Sequence, residues 1–180
     1  MPAGRADLFA LFDQLGIATS TVEHPPLFTV EQSQALRGTI PGGHTKNLFL
    51  KDKKDKVYLV VAEEDAEIDM KSLHKRIGSA RLSFGKPELL AQLLGLTPGA
   101  VTPFGAINDR GGRVTVILDA DLMRHERLNF HPLENTATTN IAADDLVRFL
   151  RHTIHEPRIV EVSGGEPGDA GLESLAERAT

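Results

Sequence analysis

The stretch TKNLFLKDKKDKVYLVVA, residues 45 to 62, contains two apolar runs on either side of a charged turn. Thr45–Lys51 and Lys56–Ala62 are rich in the aliphatic, aromatic and β-branched residues that favour strands. The four residues between the runs, Asp52 to Asp55, are all charged, which is typical of a solvent-exposed turn. Two strands joined by such a short turn predict an antiparallel β-hairpin.

Shorter strands and amphipathic helices are predicted on both sides of this hairpin, without an internal repeat. The predicted helices are Asp7–Leu15, Thr29–Leu36, Asp69–Ile77, Pro87–Leu94 and Ala143–His152. The other predicted strands are Ile17–Glu23, Ala80–Phe84, Arg113–Leu118, Arg127–His131, Ala137–Ile141 and Arg158–Val162. The run from Arg113 to Ile141 favours a meander. Because strands and crossover helices do not alternate one-to-one, we predict an α+β fold whose mixed, largely antiparallel sheet is flanked by helices.

The composition indicates a globular protein with an aliphatic core. The chain has 180 residues, of which 41% are hydrophobic, 25% charged and only 5% aromatic. We expect a single domain over residues 1–162, followed by an acidic tail at 163–180 that contains Gly and Pro and is mobile. From Glu161 onward the chain has five acidic residues and one basic residue, so this segment carries −4 of the net charge of −5. The charge of the rest of the chain therefore does not exclude a local basic patch.

Several classes of protein are disfavoured by what the sequence lacks. It has no cysteine, which excludes disulfides, thiolate metal sites and cysteine nucleophiles. The longest apolar stretches are strand-sized, far below the roughly 20 residues of a membrane span, and no signal-peptide run precedes them. The seven histidines show no metal-ligand spacing, and no nucleotide-binding motif is complete. We therefore expect a cytoplasmic protein without metal or cofactor that binds neither membrane nor DNA.

Two glycine-containing loops are candidates for binding through backbone groups. Gly38 and Gly43 have the spacing of a phosphate loop, but Lys46 does not directly follow and a strand comes next, so a plain turn is the alternative. In Gly99–Pro103, a glycine, small residues and a rigid proline can aim N–H groups at one carbonyl oxygen. A simple helix-to-strand connection is the alternative interpretation of this second loop.

Basic residues concentrate near the tip of the predicted hairpin. Four lysines between positions 51 and 56 are interrupted by two aspartates. This pattern fits a solvated hairpin tip. Together with Lys46 on the same strand and Arg81 downstream, it also fits a basic rim for a polyanion.

Four landmarks, in order along the chain, resemble one known family. They are His44–Asp52, the Gly-x-x-x-Pro segment Gly99–Gly105, Phe130–Thr139 and Asp145–Leu150. From about Asp7 to Val162 the chain resembles the YbaK/prolyl-tRNA-synthetase-associated editing superfamily, and within it the free-standing Ala-tRNA(Pro) deacylases. The resemblance implies that superfamily's fold and a trans-editing hydrolase that needs no cofactor. Its implied partners are the acceptor end of tRNA(Pro), carrying a small amino acid, and transiently prolyl-tRNA synthetase.

The resemblance also implies site residues. Lys46 matches the family's functional lysine, Gly99 belongs to the loop that engages the aminoacyl group, and His131 matches a position beside the pocket; these are the candidate catalytic residues. The candidate substrate-binding residues are Asn47, Ala100, Val101 and Pro103. Charge and placement make Lys51 and Arg81 candidate tRNA contacts.

Three alternatives stay open at this point. The sequence after Lys46 favours the alanine-specific branch, with a Cys-tRNA(Pro) or Ser-tRNA deacylase of the same superfamily as the alternative. A non-catalytic module that binds tRNA or the synthetase is expected to lack Lys46 or the Gly-x-x-x-Pro loop, and both are present. A metal hydrolase is the third alternative.

Overall fold

The computed structural model describes residues 2–26 and 40–164, and its helices and strands surround one long central strand. The helices are α1 (Arg5–Leu15), α2 (Leu73–Ile77), α3 (Pro87–Leu94) and α4 (Ala143–His152). The strands are β1 (Thr19–Glu23), β2 (Gly43–Asp52), β3 (Val57–Glu63), β4 (Leu82–Phe84), β5 (Val114–Asp119), β6 (Arg127–Phe130), β7 (Ala137–Ala142) and β8 (Arg158–Val160). Short 3-10 turns occupy Pro98–Ala100, Pro103–Asn108 and Leu122–Arg124.

The strands pair in the order β1-β7-β6-β2-β3-β5-β8, and β4 pairs with β2 beside that path. The pairings of β1 with β7, β6 with β7, β2 with β3 and β2 with β4 are antiparallel. Those of β2 with β6, β3 with β5 and β5 with β8 are parallel. The predicted mixed, largely antiparallel sheet flanked by helices is confirmed. The hairpin is confirmed as well, since β2 pairs with β3 from Thr45 opposite Glu63 to Lys51 opposite Val57.

Strand β2 joins the two halves of the sheet because it pairs along both of its edges. One edge pairs with β3 over Thr45–Lys51. On the other edge β6 pairs at Gly43–His44 and β4 at Leu50–Asp52. The N–H of Gly85, directly after β4, also donates to the Phe49 carbonyl at 2.9 Å. Among the described strands, none pairs with this edge over residues 45 to 48, a stretch that we call the sheet gap.

Each face of the sheet buries its own apolar cluster. Val57, Leu59 and Val61 of β3 point into the larger cluster, where α1, α3 and α4 pack. Tyr58 and Val60, the alternate residues, point into the smaller cluster beneath α2. All of these β3 residues are buried, so a strand in the middle of the molecule is apolar on both faces.

The predicted meander from Arg113 to Ile141 is wrong, because β5 does not pair with β6. Instead β5 pairs in parallel with β3 and β8, while β6 and β7 form a hairpin at the opposite side of β2. Hydrophobic alternation indicates a strand and its buried face, but carries no information about the partner strand. Helix α2 begins at Leu73 rather than Asp69, since the Asp69 carboxylate accepts hydrogen bonds from Lys71 N–H and Ser72 Oγ in a preceding turn.

Two predictions concern residues that the structure does not describe. The helix at 29–36 lies outside the described residues, and so does the acidic tail after residue 164. Within the described ranges, no helix has both the length and the apolar character that crossing a membrane requires.

A buried hydrogen bond ties the segment after α4 to the start of β5. His155 Nε2 lies 2.8 Å from Asp109 Oδ2, and the two side chains are only 1% and 3% exposed. The Asp109 carboxylate also accepts the backbone N–H groups of Arg113 at 3.1 Å and Val114 at 2.7 Å. Asp109 therefore connects three chain segments beneath the surface.

We expect His155→Ala to lower the free energy of unfolding by about 2–3 kcal/mol, because it leaves a buried carboxylate oxygen short of a hydrogen-bond donor. Urea denaturation followed by circular dichroism measures this loss. The matched control is His152→Ala, an exposed histidine one turn earlier in α4, which should change the stability by less than about 0.5 kcal/mol. Equal losses in the two variants would contradict a specific contribution of the His155–Asp109 contact.

Candidate functional site

Asn47 lies in the middle of the sheet gap, and its side-chain carbonyl oxygen is unsatisfied. Oδ1 is buried, and within the described part of the chain no donor reaches it. The amide Nδ2 makes only a long contact of 3.5 Å with Thr45 Oγ1, and that hydroxyl donates to the Asn129 carbonyl at 2.8 Å. An unsatisfied buried acceptor costs about 1–3 kcal/mol. Such an atom at the gap is suited to accept a hydrogen bond from a ligand.

Lys46 leaves β2 on the opposite face from Asn47, since successive side chains of a strand alternate. Its neighbours of the same parity, Leu48 and Leu50, belong to the smaller apolar cluster. The Lys46 ammonium donates a hydrogen bond to the carbonyl of Ala66, in the loop after β3. The two adjacent residues thus present a cation on one face of β2 and a neutral acceptor on the other.

Two buried asparagines hold the turn that leads into β2. Asn129 of β6 and Asn140 of β7 each donate from Nδ2 to the Pro41 carbonyl at 3.1 Å, and Asn140 also donates to Asn129 Oδ1 at 3.0 Å. Gly42 has a φ of +101°, and a Cβ there would lie 3.0 Å from the Arg127 carbonyl. Sequence analysis missed both asparagines, because their only signal is a polar side chain inside a predicted strand.

His131, just after β6, faces a second histidine, His24, which the sequence pattern indicates only as a strand terminator. Nδ1 of His131 lies 3.0 Å from the Ala137 carbonyl, and Nδ1 of His24 lies 2.8 Å from the Pro25 carbonyl. Because a carbonyl only accepts, both rings carry a proton on Nδ1. Nε2 of His24 lies 2.8 Å from Thr138 Oγ1. The rings meet edge-to-face with centroids 6.2 Å apart.

Burial lowers the pKa of His131 below its ordinary value, and the charge that His24 can carry lowers the pKa further, while the hydrogen bond to the Ala137 carbonyl raises it. His131 is therefore neutral at physiological pH and presents an unprotonated Nε2. A neutral imidazole in this position can accept a hydrogen bond without adding a second positive charge to the site.

The loop predicted to bind through its backbone lies against the connection between β6 and β7. A Cβ on Gly99 would lie 3.5 Å from Asn135 Nδ2, in the connection that begins with His131. The Ala100 N–H already donates to the Thr97 carbonyl at 3.0 Å. Of the three N–H groups between Gly99 and Val101, only those of the first and last therefore stay candidates for binding a substrate oxygen.

Pro103 and Phe104 anchor the end of this loop in the core. Pro103 is buried and begins a 3-10 turn whose first N–H, that of Phe104, donates to Thr102 Oγ1 at 3.3 Å. The Phe104 ring meets Phe12, Phe130 and Phe149 edge-to-face, with centroids 5.3, 5.4 and 5.5 Å apart. Each such contact contributes about 0.5–1.5 kcal/mol beyond burial, so the position of the loop is coupled to the main core.

Lys51 and Arg81 lie away from Asn47, at the end of β2 where β4 pairs. Lys51 is five residues beyond Lys46, or about 17 Å along an extended strand. Its ammonium forms an exposed ion pair with Asp55 at 3.4 Å. Arg81 precedes β4 and lines a different surface depression from Lys51. The two candidate tRNA contacts therefore share one end of the sheet but occupy separate depressions.

The site combines neutral acceptors, backbone donors and one nearby cation. Asn47 is linked through Thr45 to Asn129 of β6, and Gly99 lies beside Asn135 in the connection that follows β6. In residues 2–26 and 40–164, no cluster of three or more His, Cys, Asp or Glu could hold a metal ion. This arrangement can orient a small polar group and polarise a carbonyl, with water as the nucleophile.

Known proteins share both sequence and fold with this chain. The aminoacyl-tRNA editing domain family matches residues 24–149. Prolyl-tRNA synthetase associated domain-containing protein 1 of Danio rerio is 38% identical over 158 residues, 87% of this chain and 86% of that protein. The prolyl-tRNA editing protein ProX of Acetoanaerobium sticklandii is 38% identical over 145 residues, 80% of this chain and 88% of that protein. A crystal structure of a candidate trans-editing enzyme for prolyl tRNA synthetase superposes with a TM-score of 0.67 over 92% of this chain and 100% of that chain; at 18% identity it shows the fold alone.

We expect acidification to destabilise the protein partly through His131. Its pKa in the folded state lies below the ordinary value of about 6.5, so the unfolded chain binds a proton that the folded chain excludes as the pH falls through that range. The free energy of unfolding should therefore drop less between about pH 7.5 and 5.5 in His131→Asn than in the wild type. Chemical denaturation at both pH values measures the difference. His152→Asn, at an exposed helical position, should keep the wild-type pH dependence; the same dependence in His131→Asn would contradict the assignment.

Proposed function

The chain belongs to the aminoacyl-tRNA editing domain family, and we propose that it removes alanine from mischarged tRNA(Pro) as a trans-editing hydrolase. The names of its relatives support this choice, since one is a prolyl-tRNA editing protein and another a prolyl-tRNA synthetase associated protein. In this proposal residues 1–162 form the editing domain, which works in the cytoplasm without a metal or other cofactor. Its substrate is the acceptor end of tRNA(Pro), and its contact with prolyl-tRNA synthetase is transient.

The observation that carries this proposal is the buried, unsatisfied Oδ1 of Asn47 at the sheet gap. An aminoacyl ester carries an α-ammonium group, which is a strong hydrogen-bond donor beside the ester carbonyl. We propose that this ammonium donates to Asn47 Oδ1 and thereby satisfies the acceptor that the fold leaves open. A neutral acceptor suits this role, because it also leaves the nearby ester carbonyl free of a competing negative charge.

Hydrolysis then requires water and stabilisation of the oxyanion. We propose that the N–H groups of Gly99 and Val101 hold the ester oxygen as negative charge develops, within a loop that Pro103 fixes. His131, neutral and with Nε2 as an acceptor, positions the substrate or the water rather than acting as the general base. The 2′-hydroxyl of the terminal ribose helps to orient that water. The ester is already activated, so no side-chain nucleophile is needed.

Lys46 has a separate role in this proposal. Its ammonium lies on the other face of β2 from Asn47, and we propose that it contacts the 3′-terminal phosphate or ribose instead of the amino acid. Binding of the RNA end would replace its present hydrogen bond to the Ala66 carbonyl. Lys51 and Arg81, farther along the sheet, would contact acceptor-stem phosphates.

The preference for alanine follows from the size of the substrates. A synthetase pocket that accepts proline cannot exclude the smaller alanine, since one or two methylenes discriminate by only ~1–3 kcal/mol. A second, smaller site solves this problem because it admits alanine and excludes proline. The aliphatic, aromatic-poor composition of this chain is compatible with such a narrow pocket. A Cys-tRNA(Pro) or Ser-tRNA deacylase is the alternative within the family, and a non-catalytic tRNA-binding module is the alternative outside catalysis.

We expect purified protein, with EDTA present, to deacylate Ala-tRNA(Pro) at least tenfold faster than Cys-tRNA(Pro), Pro-tRNA(Pro) or Ala-tRNA(Ala). Single-turnover release of the labelled amino acid measures all four rates. A faster rate for the cysteine ester would reassign the substrate within the family. No turnover of any ester with or without EDTA, while tRNA binding is retained, would support the non-catalytic module. Turnover that appears only without EDTA would point to a metal hydrolase.

Two variants separate the proposed roles of neighbouring residues. Asn47→Leu should lower the deacylation rate at least 100-fold while the free energy of unfolding stays equal or rises, because an apolar side chain of similar size removes an unsatisfied acceptor. Lys46→Ala should instead weaken binding of uncharged tRNA(Pro). Deacylation kinetics, urea denaturation and fluorescence anisotropy with labelled tRNA distinguish the two effects.

The anisotropy measurement is also the control, since Asn47→Leu should bind uncharged tRNA(Pro) with wild-type affinity. A wild-type deacylation rate in Asn47→Leu would contradict the proposed role of Asn47 in substrate binding. Wild-type tRNA affinity in Lys46→Ala would remove Lys46 from RNA binding.

A further inference from the structure

Phe84 is an apolar residue that lies mostly exposed on strand β4. It ends β4, which pairs with β2 on one side, and 63% of its surface is accessible to solvent. The other exposed large apolar residues of the described chain are Val22, Ile154 and Ile159, so Phe84 is the exposed aromatic residue among them. In a protein with 5% aromatic residues, an unburied ring on an edge strand suggests a binding role.

A basic surface depression lies on one side of the Phe84 ring. It has a volume of about 560 Å³ and is lined by Phe84 together with the bases Lys51, Lys86 and Arg113. Its acidic lining residues are Asp55 and Glu88, and the first of these already pairs with Lys51 at 3.4 Å.

A second depression lies at the start of β4. It has a volume of about 470 Å³ and is lined by Lys71, His74 and Arg81 with the apolar residues Met70 and Leu82. No acidic residue lines this depression in the described part of the chain.

The charge of this surface is opposite to that of the whole chain. The two depressions are lined by five Lys or Arg residues and two acidic residues, whereas the chain has 20 Lys or Arg and 25 acidic residues. Protein-docking surfaces are commonly depleted of lysine. Surfaces that bind nucleic acid combine Lys or Arg side chains, which contact phosphates, with an aromatic ring that stacks on a nucleobase. The combination of Phe84 with flanking cations therefore favours RNA as the ligand.

We propose that the β4 edge is an RNA-docking surface on which the Phe84 ring stacks against an exposed nucleobase face, flanked by phosphates that Lys86, Arg113 and Lys71 contact. The assignment of that RNA to the acceptor arm of tRNA(Pro) rests on the proposed function. Lys51 lies about 17 Å along β2 from Lys46. The surface therefore contacts RNA at a distance from the aminoacyl group and sets affinity rather than the chemical step.

The test is the affinity of the full-length protein for uncharged, 5′-labelled tRNA(Pro), measured by fluorescence anisotropy at several salt concentrations. Phe84→Ala should weaken binding about tenfold without changing the salt dependence, because it removes a stacking contact and no charge. Phe84→Tyr should retain the affinity. Lys86→Ala should weaken binding and reduce the slope of log K against log salt by about 1.

The matched controls are Ile159→Ala, another exposed apolar residue at 55% exposure, and Arg124→Ala, an exposed cation paired with Asp121 at 3.5 Å. Both should bind tRNA(Pro) like the wild type. In deacylation assays Phe84→Ala should raise KM and leave kcat within twofold.

Wild-type RNA affinity in Phe84→Ala would overturn the proposal, and so would an equal loss in Ile159→Ala. If Phe84→Ala keeps its RNA affinity but loses binding to purified prolyl-tRNA synthetase, the surface docks a protein and the RNA assignment is wrong. The anisotropy assay uses uncharged tRNA, so it reports RNA binding independently of hydrolysis. Failure of the proposed hydrolysis would appear in the deacylation assay instead, where the wild-type protein would leave the ester intact.

Discussion

Backbone hydrogen bonding along both edges of β2 is the constraint on which the rest of the structure depends. The strand pairs with β3 along one edge, and with β6 and β4 at the two ends of the other. Because β6 and β4 pair only with the two ends of this second edge, no described strand pairs along it with positions 45 to 48. Asn47 belongs to this stretch, and its buried Oδ1 finds no donor among the described residues. The candidate site thus follows from how one strand serves two halves of a sheet.

Some buried polar side chains around β2 have hydrogen-bond partners, and one buried side-chain oxygen has none among the described residues. Asn129 and Asn140 use their amides to hold the Pro41 carbonyl and each other, so their burial costs little and fixes the turn before β2. Asn47 has the same side chain, but its buried carbonyl oxygen finds no donor among the described residues.

In the two proposals, chemistry and RNA binding occupy different parts of the same strand. The proposed aminoacyl site includes Asn47, His131 and the Gly99 loop, where neutral groups predominate. The Lys and Arg side chains that line the two depressions lie around β4, at the other end of β2. This separation allows a chain with a net charge of −5 to bind a polyanion locally, since screening confines each charge to its surroundings. The resemblance of Lys46, Gly99 and His131 to family positions makes them candidate site residues. That Lys46 and Asn47 lie on opposite faces of β2, and that His24 lies beside His131, became visible only in the folded chain.

The sequence by itself determined the local elements and the class of fold. Residues 45 to 62 predicted the β2–β3 hairpin, and helices α3 and α4 appear at the predicted residues, because periodicity and turn chemistry act within a few neighbours. Only the tertiary structure decided that β5 pairs with β3 and β8 instead of β6, that Ala100 N–H is already used, and that no donor in residues 2–26 and 40–164 reaches Asn47 Oδ1. These outcomes depend on which distant segments compete for the same hydrogen bonds, and such competition exists only once the chain has folded.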